Sequence, residues 1–236
     1  MKYLMKFGGT SVADARCIGL VVDILEKHHN AGDELAVVVS AQRGVTDQLI
    51  DIAEKLPTAQ NCAAVPPLIA ALRERHMKTL EGAAPDYVEE AGAVIEKRLA
   101  SLQHILFAIY NLRELTPRSK DYVISYGERL LAPIVGAAIR QRGIPSTVLD
   151  GCEAGILTTP QHGEATALVE SDARIKAKIG PLLKDGDPGG HGVHGLHRAG
   201  DRHDLGPERF GLTRRPSSAP GSMRTRSGSG PMWTAS

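Results

Sequence analysis

Leu35-Ala36-Val37-Val38-Val39 is an unbroken apolar run between Glu34 and Ser40. Successive side chains of a strand point to opposite faces, so such a run has no side to give to water and belongs in a sheet covered on both faces. Parallel sheets are covered in this way, because the crossovers between their strands are helices. The flanking sequence supplies those helices. Lys2–Lys6 reads as a short strand running into Phe7-Gly8-Gly9, and Thr10 or Ser11 can cap a helix over about Val12–His28, with Ile18, Val21, Val22 and Leu25 on one side. Gly44-Val45-Thr46-Asp47 starts a helix through about Lys55. From about Ala64 to Leu115 the pattern is helical and strand-poor, interrupted at Gly82–Pro85, which predicts a helical insertion. Ser119–Arg142 is a further helical region that Pro133 should bend or divide, Ile144–Leu149 is a strand, and Ala173–Leu183 is a last amphipathic helix. Strands alternating with helices over residues 1–186 predict an α/β fold, an open and mainly parallel sheet flanked by helices.

Residues 187–236 have a different character. All ten lysines lie before them, whereas they hold no Ile, seven Arg, ten Gly, six Ser, five Pro and four His. A segment without apolar periodicity cannot build a core, so it reads as a disordered tail that leaves a strand edge of the preceding sheet unpaired. For the whole chain of 236 residues, Lys+Arg 28 against Asp+Glu 27 leaves a net charge of +1, which predicts no attraction to nucleic acid or to an anionic membrane. No apolar run approaches the ~18 residues needed to cross a bilayer. Cys17, Cys62 and Cys152 are odd in number and widely spaced, which fits neither a disulfide framework nor a zinc site and predicts a reducing cytoplasm.

Three turns carry residue types with a chemistry. Strand–Gly8-Gly9–helix lets backbone N–H groups approach a phosphate, with Lys6 beside the turn as a mobile point charge; the bland alternative is a tight turn with a surface lysine. The buried strand 35–39 opens into Ser40-Ala41-Gln42-Arg43-Gly44-Val45-Thr46, so that Ser40 and Thr46 bring hydroxyls to a strand's carboxyl end, unless Thr46 merely caps its helix. Ser125-Tyr126-Gly127-Glu128-Arg129 offers Glu128 to a substrate ammonium, or to Arg129 or Arg118 on a solvated face.

Taken together, these strings resemble a known family. Lys6-Phe7-Gly8-Gly9-Thr10-Ser11-Val12 is similar to the opening signature of aspartokinases, within the amino-acid-kinase family. Val37-Val38-Val39-Ser40-Ala41 with Gly44 and Thr46 resembles the second motif, and Gly127-Glu128-Arg129-Leu130 the third. Leu149-Asp150 with Ala154-Gly155-Ile156 resembles the segment that follows. The resemblance implies a carbamate-kinase-like sheet, Lys6, Phe7, Gly8 and Gly9 at ATP, with Lys6 catalytic, and Ser40, Thr46 and Glu128 at L-aspartate. It implies transfer of the γ-phosphoryl group of ATP, with Mg2+, to the aspartate side chain, on the route to lysine, threonine and methionine. An intact enzyme of this kind would be cytoplasmic and a homo-oligomer. Other members of the family, acting on glutamate, acetylglutamate or UMP, and an inactive truncated fragment are the alternatives.

After Gly186 the family should continue with a Val-Thr-Gly-Phe turn, a Gly-Arg-Gly-Gly-Ser-Asp substrate loop and a Thr-Asp nucleotide segment, and none stands in the sequence. They reappear in shifted frames. From the second base of the Gly190 codon, the codons permit Val-Thr-Gly-Phe-Met and, up to Gly211, a Gly-Arg-Ser-Gly-Ser-Asp loop. From the third base of the Ser222 codon they permit Ile-Trp-Thr-Asp-Val-Asp-Gly, where the single codons of Met232 and Trp233 force the Val-Asp. The sequence therefore reads as an aspartokinase-like gene with one frame change near Asp187 and another near Leu212. On this reading His191, His194, His197 and His203 are out-of-frame codons rather than a metal site, and the Arg/Gly/Ser tail is not an RNA-binding segment.

Overall fold

A computed structural model of the chain describes residues 1–184, 193–197 and 224–225. Among these residues β1 (Lys2–Phe7), β2 (Glu34–Val39), β3 (Ser146–Asp150), β4 (Val193–His197) and β5 (Arg224–Thr225) form one sheet in the order β3-β4-β2-β1-β5. Every pairing is parallel. The helices are α1 (Ala15–Asn30), α2 (Val45–Lys55), α3 (Val65–Ala83), α4 (Val88–Leu112), α5 (Pro117–Gln141) and α6 (Glu170–Lys184).

The apolar run is buried on both faces, as its pattern requires. Leu35, Val37 and Val39 join a large core built with α1 to α5, while Ala36 and Val38 join a small one with Ile175, Ile179 and Leu183 of α6. β1 alternates in step: Tyr3, Met5 and Phe7 pack on the large core and Leu4 on the small one. The helical insertion is present as α3 and α4, with Pro85–Tyr87 as a 3-10 turn between them where the Gly82–Pro85 break falls.

The structure departs from the sequence reading at three points. First, α1 starts at Ala15, not Val12, and its N-cap is Asp14 rather than Thr10 or Ser11; the Asp14 carboxylate accepts the N–H of Cys17 at 2.8 Å. A carboxylate is as good an N-cap as a hydroxyl and answers the helix dipole as well. Second, α5 runs through Pro133 undivided. Proline removes the N–H that would bond the carbonyl four residues earlier, here that of Arg129. A guanidinium N–H of Arg98, reaching over from α4, donates to that carbonyl instead. Third, Val193–His197 and Arg224–Thr225 are strands, although they fall in the segment expected to be a disordered tail. β4 pairs with both β2 and β3, so the edge of β2 away from β1 is covered. Ladder bonds use backbone groups that any residue but proline supplies, and 193–197 holds no proline. The rest of the tail, with His191 and His203 and the remaining out-of-frame strings, lies outside the described residues.

Candidate functional site

β1 and β2 end level. Lys6 stands beside Val38 and Phe7 beside Val39, and the N–H of Ser40 donates to the Phe7 carbonyl at 3.1 Å. Gly8-Gly9 and Ser40-Ala41 therefore leave the sheet side by side at its carboxyl edge, where open α/β sheets hold their ligands. The N–H of Ser11 closes a turn onto the Gly8 carbonyl at 2.9 Å.

Glycine is required where these loops touch. A Cβ on Gly9 would lie 2.6 Å from the Ala41 carbonyl oxygen, which is fixed backbone. At Gly8 the same atom would meet nothing within 4 Å, so that flank of the turn is open to an approaching group. The loop after β2 is tied down from behind. Buried Gln42 donates to the Ala13 carbonyl at 3.3 Å and to the Thr79 hydroxyl of α3 at 3.0 Å, and Arg75 donates to the Arg43 carbonyl at 3.3 Å. Sequence reading passed over Gln42, Arg75 and Thr79, because nothing local marks a residue whose partner lies in another helix.

The third motif meets the second through another glycine. A Cβ on Gly127 would fall 2.6 Å from the Ala41 side chain and 3.7 Å from the Thr46 hydroxyl oxygen. Thr46 is not a cap: Gly44, at φ +81, begins α2 with no side-chain bond. Next along α5, Glu128 is only 7% exposed. That rules out a solvated surface pair, since burying a carboxylate is costly unless something answers its charge. The Arg129 guanidinium lies over the Tyr126 ring at 4.6 Å and the Tyr122 ring at 5.4 Å, with Asp150 at 3.7 Å. Burial pushes the Tyr126 hydroxyl up to about 12, and it shares a 2.7 Å hydrogen bond with Ser101. Asp121, on the same stripe of α5 as Glu128, accepts the N–H of Gly163 at 2.8 Å and so ties down the loop before α6.

Lys6 is exposed and has the strand parity of Leu4, which places it toward the α6 side of the sheet, whereas α5 packs on the other. A ligand that touches both Lys6 and Glu128 must straddle the carboxyl edge. The expected helix terminus does not take part in the way the glycine turn suggested. The N-terminus of α1 is occupied by the Asp14 carboxylate, whose acidity is increased by the hydrogen bond from Cys17. Among the described residues, no group of three or more His, Cys, Asp or Glu could hold a metal ion, and no helix is long and apolar enough to cross a membrane.

A parallel α/β sheet whose carboxyl edge gathers a glycine turn, a hydroxyl loop and a buried carboxylate defines a class of small-molecule-binding domains. A profile of the amino acid kinase family matches residues 1–201, and the chain belongs to that family. Its relatives include the aspartate kinase of Pseudomonas putida, 26% identical over 176 residues that cover 75% of this chain and 29% of the relative. Aspartokinase 2, chloroplastic, of Arabidopsis thaliana is 29% identical over 185 residues, covering 77% of this chain and 32% of the relative. The chain thus spans about a third of the length of these curated relatives. The fold is that of E. coli aspartokinase III in complex with aspartate and ADP, at a TM-score of 0.71 and 23% identity over 84% of this chain and 40% of that one. The same enzyme in complex with lysine and aspartate superposes at a TM-score of 0.72 and 24% identity, covering 87% of this chain and 44% of that one.

Proposed function

We propose that residues 1–184 carry the amino-terminal part of an ATP-dependent aspartate kinase site. The observation that carries this reading is the contact chain Gly9–Ala41–Gly127, which brings three motifs distant in sequence to one edge of the sheet. In the reaction, a side-chain carboxylate oxygen of L-aspartate attacks the γ-phosphorus of ATP, the bond to the bridging oxygen breaks, and ADP leaves. The nucleophile is already ionised at neutral pH, so the protein's work is to align two anions and offset their repulsion. Lys6 and the N–H groups of the turn after Phe7 take the phosphates, and the open flank of Gly8 gives them room. Thr46 and Ser40 orient the amino acid from the loop after β2, and the Glu128 carboxylate receives its ammonium. Mg2+ would arrive on the nucleotide and neutralise part of its charge.

The sequence as written lacks the Gly-Arg-x-Gly-Ser-Asp loop expected to grip a substrate carboxylate, which the first shifted frame permits, and the Thr-Asp segment, which the second permits. The 236-residue chain should therefore not form acyl phosphate, while a version with both frames restored should. A hydroxylamine trap for aspartyl phosphate decides this. Hydroxamate from the restored version alone supports the reading, aspartate-dependent product from the chain as written refutes its frame component, and no product from either refutes the kinase reading. A place in lysine, threonine and methionine synthesis, a cytoplasmic site of action and a homo-oligomeric state belong to the same proposal and follow from the family resemblance.

A further inference from the structure

Arg98 belongs to the helical insertion, outside all three motifs, yet three features converge on it. Pro133 leaves the Arg129 carbonyl without its helical partner, and Arg98 donates to that carbonyl. The other arm of its guanidinium lies 3.3 Å from Asp150, at the carboxyl end of β3. Asp150 also receives Arg129 at 3.7 Å, and Arg129 is stacked over Tyr122 and Tyr126 along one stripe of α5. The planar fork of arginine can serve a carbonyl and a carboxylate at once, which a lysine ammonium cannot do with the same geometry. Only 17% of the Arg98 side chain is exposed, so it has given up most of its water to stand there.

Without that bond the missing N–H would leave a buried helix turn with an unanswered carbonyl on Arg129, the residue that follows Glu128. Helices with such a gap kink at the proline. A kink there would swing Glu128 and Gly127 against Ala41 and Thr46, where no slack exists at the Gly127 contact. We infer that Arg98 is a positioning residue for the amino-acid site: it replaces the hydrogen bond that Pro133 removes, and so holds the Glu128 turn of α5 in its binding geometry. The inference rests on the reading that Glu128 receives the substrate ammonium.

The test is a double-mutant cycle on the frame-restored enzyme, with L-aspartate affinity and amide hydrogen exchange over residues 123–132 as readouts. Arg98→Ala should weaken aspartate at least tenfold and speed exchange in that stretch. Pro133→Ala, which returns the missing N–H, should change affinity less than threefold by itself. Combined with Arg98→Ala, it should restore both affinity and protection to within a few-fold of the parent. Loss that the second change does not repair would mean that Arg98 acts by charge or by direct contact, and unchanged affinity in Arg98→Ala would mean that it positions nothing; either overturns the inference. Absence of aspartate binding in the parent brings down the substrate reading and is recognised as such. The exchange arm then decides alone whether Arg98 stands in for the lost bond, and unrepaired or unchanged exchange overturns that as well.

Discussion

The two faces of the sheet are unequal. On one, α1 to α5 pack a deep core in which Leu99, Leu102, Leu106, Val123, Leu130 and Leu131 are fully buried. On the other, among the described residues, a short row of Ala36, Val38, Leu4 and Leu149 meets Ile175, Ile179 and Leu183 of α6. The candidate site divides along the same line. Glu128 and Thr46 are set on the deep side, where neighbours leave no room for a Cβ at Gly127, while Lys6 leaves β1 toward the thin side. On the proposed reading, the groups that would discriminate an amino acid sit on the rigid side, and the cation that would take phosphate sits where a long flexible side chain suffices.

The comparison can be broken by measurement. Leu102→Ala, in the middle of α4, should cost about 3–4 kcal/mol through lost burial and the cavity left behind, seen as a lower urea midpoint. The deep face should also carry an acid sensitivity. His76 is fully buried, its Nδ1 is 2.7 Å from the Leu72 carbonyl, and burial pushes it down to about 4. The unfolded chain takes up a proton near pH 6.5 and the folded one does not, so stability is intact above 6.5 and falls as the pH drops toward 4. The loss is on the order of 3 kcal/mol, and His76→Leu should flatten that limb of the stability profile. On the thin face, Ile179→Ala should cost about 2 kcal/mol, near the low end for such truncations. A cost equal to that of Leu102→Ala would erase the distinction between the faces. Smallest of all, Leu20→Ser on the outward side of α1, at 55% exposure, should change stability by less than about 0.5 kcal/mol.

Much of this fold was legible in the sequence, and the exceptions have physical causes. The run 35–39 announced a strand covered on both faces, because nothing else can use such a run. Gly9 and Gly127 were legible only as motif glycines; that both are required by contacts with Ala41 is visible only once the loops are in place. The start of α1 was misplaced because Thr10, Ser11 and Asp14 are all good caps, and only the path of the loop chooses among them. Pro133 by itself predicts a bend or division of the helix, because its remedy, Arg98, lies in another helix and leaves no local trace. Likewise the pairing of Val193–His197 rests on backbone bonds that composition does not reveal.

In the proposed site, which straddles the carboxyl edge, Lys6 neutralises the phosphates from one side while Glu128 holds the amino acid from the other. Steady-state kinetics of Lys6→Ala in the frame-restored enzyme tests it most directly. A charge that acts mainly in the transition state predicts a fall in kcat of ~10²–10³-fold, with the KM for aspartate changed little and the urea midpoint unmoved. Turnover within a few-fold of the parent would contradict the account.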